Sequence, residues 1–224
     1  MQTFVYNFRF GDGSTESFQV PAAEDSAPAA LPAWTALEFH QCPNCPMSAA
    51  TTPHCPMAVQ LIDMVKVFGK RISHDPIEVE VESAERTITK MTTVQRAVRS
   101  LMGSRSASSD CPRVDFLKPM LYFHLPFSSE EEIIYRVTSM YLLAQYFLRQ
   151  QNKTPDWDLA KLKANYLELQ RVNMAMAARL RAISEQDGMV NGLVLLDLMA
   201  RALPFSIDAA LEELAPVFEA YSRQ

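Results

Sequence analysis

At 224 residues, with 48% hydrophobic and 21% charged side chains, the chain has the composition of a globular protein with one good core, or one core and a small appendage. A net charge of -5 argues against a mainly nucleic-acid-binding protein, although a local basic patch is compatible with it. No run of about 18 consecutive apolar residues is present and the opening MQTFVYNFRFGDG lacks the basic and apolar regions of a secretory signal, so a cytoplasmic, non-membrane protein with reduced cysteines is expected.

In chain order, Phe4, Tyr6, Phe8 and Phe10 alternate with polar residues, Gly11–Ser14 makes a turn, and Phe18 and Val20 return, which predicts a β-hairpin. Residues 21–34, rich in Pro and Ala, read as an irregular linker. The segment EFHQCPNCPMSAATTPHCPM (38–57) opens into a short helix with Val59, Ile62, Val65 and Phe68 on one face. A second hairpin follows, in which Ile77, Val79 and Val81 alternate with Glu78, Glu80 and Glu82; the two hairpins are expected to form one small antiparallel sheet. A helix over about Val94–Met102, capped by Thr92 or Thr93, leads into Gly103–Asp110, read as a flexible connection.

From Ser128 onward the pattern is helical throughout. Ser128 and Glu131 have capping-box spacing, and Thr154 followed by Pro155 reads as the N-cap and first position of the next helix. That helix carries Leu159, Leu162, Tyr166, Leu169, Asn173, Met176, Leu180 and Ile183 at unbroken 3–4 spacing, the seam of a helix packed lengthwise on a neighbour. Asn173 either fixes the register of that seam or, if the seam rotates toward Val172, turns to solvent. Met189–Leu203 is apolar almost all round and predicts a buried central helix, with Asp197 and Arg201 as a helix pair. Ser206 caps a closing helix. The expected fold class is α+β, with residues 1–127 holding the hairpins and Cys-rich segment and 128–224 forming a helical bundle, the two making one compact unit.

All four cysteines, Cys42, Cys45, Cys55 and Cys111, are followed by proline. Proline makes up roughly one residue in twenty of an average chain, so composition does not explain this. Proline fixes its own φ and offers no N–H, which suits a cysteine at a helix N-cap or a tight turn. Cys55-Pro56 fits the start of the short helix, where free backbone N–H groups favour a sulfur that ligates or reacts. Cys42-x-x-Cys45 has the spacing that brings two sulfurs onto one metal. Zinc-ribbon knuckles place Gly after the second cysteine, and Pro46 cannot take that positive φ. A Cys-Pro ending is familiar from iron–sulfur ligation, although the compact C-x-x-C-x-x-C run is absent. The expected centre is an iron–sulfur cluster, ahead of zinc, held by all four cysteines; the alternative is no metal, with Cys55 and Cys111 as small buried hydrophobes. A thioredoxin-like site is disfavoured because PMSAATTP after CPNC is no helix.

His40 and His54 lie beside cysteines and are alternative ligands or hydrogen-bond partners for them; His124, and likewise His74, reads as structural, with a supporting role at the metal in reserve. Arg86, Lys90, Arg96, Arg99 and Arg105 fall in a stretch without acidic residues. That stretch predicts a solvated face balanced by the Glu-rich strand, or else a phosphate or nucleic-acid site. There is no P-loop, G-x-G-x-x-G, G-x-S-x-G or H-E-x-x-H, so no catalytic motif points to an enzyme.

The segments FHQCPNCPM, PHCPM, DCPRVDFLKPM, FHLPF and YRVTSMYLLAQYF resemble a family of uncharacterised bacterial proteins defined only as a domain of unknown function. The resemblance runs over nearly the whole chain, with the Cys-Pro motifs its most specific part. It implies a bacterial cytosolic protein and carries over no activity, substrate or binding residue. The functional expectation is a metal-binding regulatory or interaction protein. A redox enzyme using the thiol centre and a polyanion binder using residues 86–105 are the alternatives, and the helical bundle is the surface for a protein partner or a homodimer.

Overall fold

The structure, a computed structural model, describes residues 3–22 and 30–223. Strands β1 (Phe4–Phe10), β2 (Thr15–Val20), β3 (Pro76–Glu82) and β4 (Thr87–Thr93) form one antiparallel sheet in the order β2-β1-β3-β4. Both predicted hairpins are present, and β1 joins them: Tyr6 lies opposite Phe18 on one side and opposite Val81 on the other. Alternation does the rest. Phe4, Tyr6, Phe8, Phe10, Phe18, Val20, Ile77, Val79 and Val81 all point to one buried face.

Helices α1 (Pro56–Val59) and α2 (Ile62–Phe68) cover that face. Their buried side is Met57, Leu61, Met64 and Phe68 with Ile62; Val59 and Val65 of the expected stripe are only half-buried. Phe68 meets Phe8 edge-on at 5.0 Å and stacks on Phe18 at 5.3 Å. Of the expected linker, residues 23–29 lie outside the described residues. Its end is regular rather than irregular, since Ala33–Thr35 forms a turn of 3-10 helix and Thr35 is fully buried.

Helix α3 spans Val94–Ser108, six residues beyond its expected end. Three of the four serines that suggested a loop, Ser104, Ser108 and Ser109, bond back to the helix instead. Ser104 Oγ donates to Ser100 O (3.0 Å) and Ser108 Oγ to Arg105 O (2.8 Å). Leu101, Met102 and Ala107 are buried, and tertiary packing overrides the weak local propensity. Arg105, 2% exposed, is paired with Asp63 of α2 at 2.7 Å.

Helix α4 (Lys118–Tyr122) leads to α5 (Glu130–Gln150). The capping box of α5 is one residue later than the sequence reading: Ser129 Oγ accepts from Glu132 N (3.1 Å) and Glu132 accepts from Ser129 N (2.7 Å). Helix α6 (Ala160–Arg181) starts five residues after Pro155. Asp156, not Thr154, satisfies its first amides, accepting from Ala160 N (3.2 Å) and Lys161 N (2.7 Å). The α6 seam is buried as the spacing predicts, apart from half-buried Ile183; Val172 and Asn173 are both inside, so Asn173 is not turned to solvent.

Helix α7 (Gly188–Leu214) runs unbroken through Pro204, and Ser206 caps nothing, donating instead to Ala202 O at 3.0 Å. It packs on α3 and α6 through Met189, Leu193, Ala200, Leu203 and Ile207. Its other side is open, with Leu198 and Phe205 exposed, so the helix is central in position but buried along one stripe only. Gly192 permits the approach to α3, because any Cβ there would overlap the Val98 side chain. Residues Gly188–Tyr221, which run into the final short helix α8 (Glu219–Ser222), are long and apolar enough by length and composition to cross a membrane (mean hydropathy 1.4 over an 18-residue window); a count of consecutive apolar residues does not detect this. One cluster of buried side chains reaches from Phe4 to Ile207 and takes in both halves of the chain.

Candidate functional site

Two stretches flanking the Cys-Pro segment are zipped together. Leu37 N donates to Pro53 O and Cys55 N to Thr35 O, each at 2.8 Å, and Ala36 forms a β-bridge with His54. The chain between them, carrying Cys42 and Cys45, is therefore an anchored loop. Cys42-Pro-Asn-Cys45 is a turn closed by Cys45 N donating to Cys42 O at 3.0 Å. Asn44, at its tip, donates to the backbone and side chain of Glu168 on α6 at 3.0 and 2.8 Å. Arg113, two residues after Cys111, donates to Asn44 O at 2.7 Å and so ties the two cysteine segments together.

Cys55 is the N-cap residue of α1 with Pro56 at the first helical position, as its sequence context predicts. Cys111 begins a second turn, in which Val114 N donates to Cys111 O at 3.0 Å. Burial pushes the Cys111 thiol pKa up; the backbone N–H groups of Arg113 and Val114, directed at the sulfur, oppose this. The Cys42 thiol is pushed up to about 12, first by burial and then by the charges of Cys55, Cys111 and Cys45, with Arg179 opposing. The thiols from three separate segments thus lie within one another's electrostatic field.

The counter-charge is Arg179 of α6, 2% exposed. It donates to the carbonyls of Trp34, Ala36 (2.8 Å) and Leu37 (3.3 Å), and its guanidinium lies 5.6 Å from the centre of the Phe39 ring. Burial lowers its pKa, while Cys55, Cys42 and Cys45 act to raise it. Arg179 was invisible to sequence reasoning: a lone arginine beside the seam residue Leu180 looks like a surface cation, and its three acceptors are far away in the chain.

All four cysteines are free thiols, and among the described residues no three His, Cys, Asp or Glu side chains meet at metal-bonding distances. His40 is exposed, in a positive-φ conformation, with its ring against Phe39. His54 Nδ1 is 2.8 Å from Thr35 Oγ1. His124 is half-buried at the edge of the core, where Nε2 meets the Tyr6 hydroxyl and Ser104 Oγ (3.1 Å); burial, with a contribution from Arg136, lowers its pKa to about 3. His74 stands near Gln95, which is 3.3 Å from its Nδ1.

The basic stretch divides among different surroundings. Arg86, Lys90 and Arg96 are exposed, Arg99 is half-buried against a cleft, and Arg105 is inside with Asp63.

A family model described as a domain of unknown function (DUF6901) matches residues 4–219. No curated protein and no solved structure matches the chain.

Proposed function

We propose, for a chain that belongs to the DUF6901 family of unknown function, that Cys42, Cys45, Cys55 and Cys111 bind one metal centre and that the protein is a metal-binding regulatory or interaction protein of the cytosol. The observation that carries this reading is the gathering of four thiols, from three segments, in one electrostatic neighbourhood beside the buried Arg179.

The donor set suits a thiophilic centre, either an iron–sulfur cluster or zinc. Burial and mutual repulsion hold the Cys42 and Cys111 thiols protonated, and a bound cation relieves both by taking up the thiolate charge. Four thiolates around a dication leave an excess of about two negative charges, which the Arg179 guanidinium partly offsets. Amide donors such as those of Arg113 and Val114 support a ligating sulfur. When bound, the centre supplies a cross-link between the 42–55 loop and the Cys111 turn, structural in zinc's case and redox-active in a cluster's.

Metal analysis and an absorption spectrum of protein purified without oxygen test this. Iron with labile sulfide and a band near roughly 400 nm identifies a cluster; stoichiometric zinc without colour identifies a structural ion. Sub-stoichiometric metal in folded protein, or metal content unchanged in C42S/C45S, overturns the reading. Because each ligand gives up a proton, zinc affinity should rise steeply between pH 6 and pH 8, on the order of tenfold or more.

A further inference from the structure

Helices α3, α4, α5, α6 and α7 enclose a cleft of about 180 Å³. Met120, Leu121, Leu169, Leu196 and Leu203 are among its lining residues, and its wall is mainly apolar. A space of this order takes a ring-sized guest, since an engineered apolar cavity of about 150 Å³ binds benzene.

Two of the polar residues facing this space are not paired off as core groups normally are. Asn173 of α6 is 1% exposed, yet neither its amide nitrogen nor its carbonyl oxygen has a hydrogen-bond partner. Ser106 Oγ of α3 is likewise buried and unpartnered. Both residues line the cleft, so two helices independently present unsatisfied groups to the same volume.

Charge in the cleft is one-signed. Arg99 and Arg136 line it, and no carboxylate does. Arg136 is occupied, donating to Ser128 Oγ and Met120 O (each 3.3 Å) and to Phe123 O. Arg99 makes no hydrogen bond or ion pair among the described residues, although burial and the neighbouring Arg96 both disfavour its charge. His124 adds no charge, being neutral and spent on Tyr6 and Ser104.

We infer that the cleft binds a small apolar carboxylic acid, with its carboxylate held by Arg99 and its ring or short chain among the leucines. A guanidinium fork matches a carboxylate bidentately, and a low-dielectric wall strengthens that pair. A single uncommitted guanidinium calls for a monoanion rather than a phosphate dianion. The inference does not rest on the thiol reading, and either can fail alone.

Calorimetric titration of the full chain with phenylacetate and hexanoate, up to about 10 mM, tests it. Both acids should bind, and R99Q should weaken them about tenfold or more, as loss of a charge-assisted pair does. Methyl phenylacetate should fail to bind to the same degree, A200F should abolish binding by filling the cleft, and R96Q should change nothing. R99Q breaks no hydrogen bond or ion pair among the described residues, so it keeps the test decisive even if A200F does not fold. The inference is overturned if neither acid binds, if R99Q binds as well as the wild type, if the ester matches the acid, or if hexyl phosphate binds more tightly than hexanoate.

Discussion

Beneath the strands the central buried hydroxyl finds partners, whereas two buried polar groups facing the cleft between the helices find none. The Tyr6 hydroxyl, buried among phenylalanines, finds Ser100 at 2.9 Å and His124. The Asn173 amide, equally buried among leucines and methionines, finds nothing. The same contrast holds for cations: Arg105 is inside and paired with Asp63, whereas Arg99 reaches its cleft without an acid. Unmatched groups are what selection for stability alone removes, and two of them gathered with an unpaired guanidinium around one cleft make that cleft the place to seek a binding role.

The largest effect expected from this division is on the sheet side. Phe68→Ala removes the ring that touches Phe8, Phe10 and Phe18 and should cost about 3–5 kcal/mol in denaturant unfolding. A loss under about 1 kcal/mol would show that this core is looser than its packing indicates.

Acid tests the same region at intermediate size. His124 titrates near 6.5 when unfolded and near 3 when folded, so between those values the unfolded chain binds a proton that the folded chain refuses. Stability contributed by keeping this ring neutral is present above pH 6.5 and lost as pH falls toward 3. The slope should be about 1.4 kcal/mol per pH unit over pH 5 to 6, where few carboxylates titrate. His124→Gln should flatten that slope; an unchanged slope would place the proton elsewhere.

The smallest effect is the most telling because its sign reverses. Asn173→Leu replaces an unpaired buried amide by an apolar side chain of similar size and should be neutral or stabilising by about 1 kcal/mol without ligand. Tyr6→Phe, which strands Ser100 and His124, should destabilise by about 1 kcal/mol or more. Equal losses from the two variants would erase the distinction between the regions.

The sheet side was also the more legible in sequence. Two-residue alternation from Phe4 and from Ile77 predicted both hairpins, and 3–4 spacing from Leu162 to Leu180 predicted the α6 seam. Misreadings cluster where a short polar side chain has two uses. Ser104, Ser108 and Ser109 looked like a loop and proved to bond back along the end of α3; Ser206 looked like a cap and bonds back along α7. SSEEE offers a capping box in two registers, and the structure takes the second. Thr154-Pro155 mimics a helix start that Asp156 supplies instead. At the candidate thiol site the cysteines announce themselves through their prolines, but Arg179 does not, since what makes it special is three carbonyls some 140 residues earlier. The cleft was hidden for the same reason: it exists only where α3, α4, α5, α6 and α7 come together.

The strand order has a consequence for biosynthesis. β1 is an interior strand, yet its second neighbour, β3, is made only after residues 21–75. At about 5–20 residues per second, the first hairpin waits several seconds on the ribosome with one edge of β1 unpaired. Cys42, Cys45 and Cys55 emerge during that wait, whereas Cys111 arrives only after α3 is complete. Three of the four thiols are thus made well before the fourth, so the complete set exists only once α3 has been synthesised.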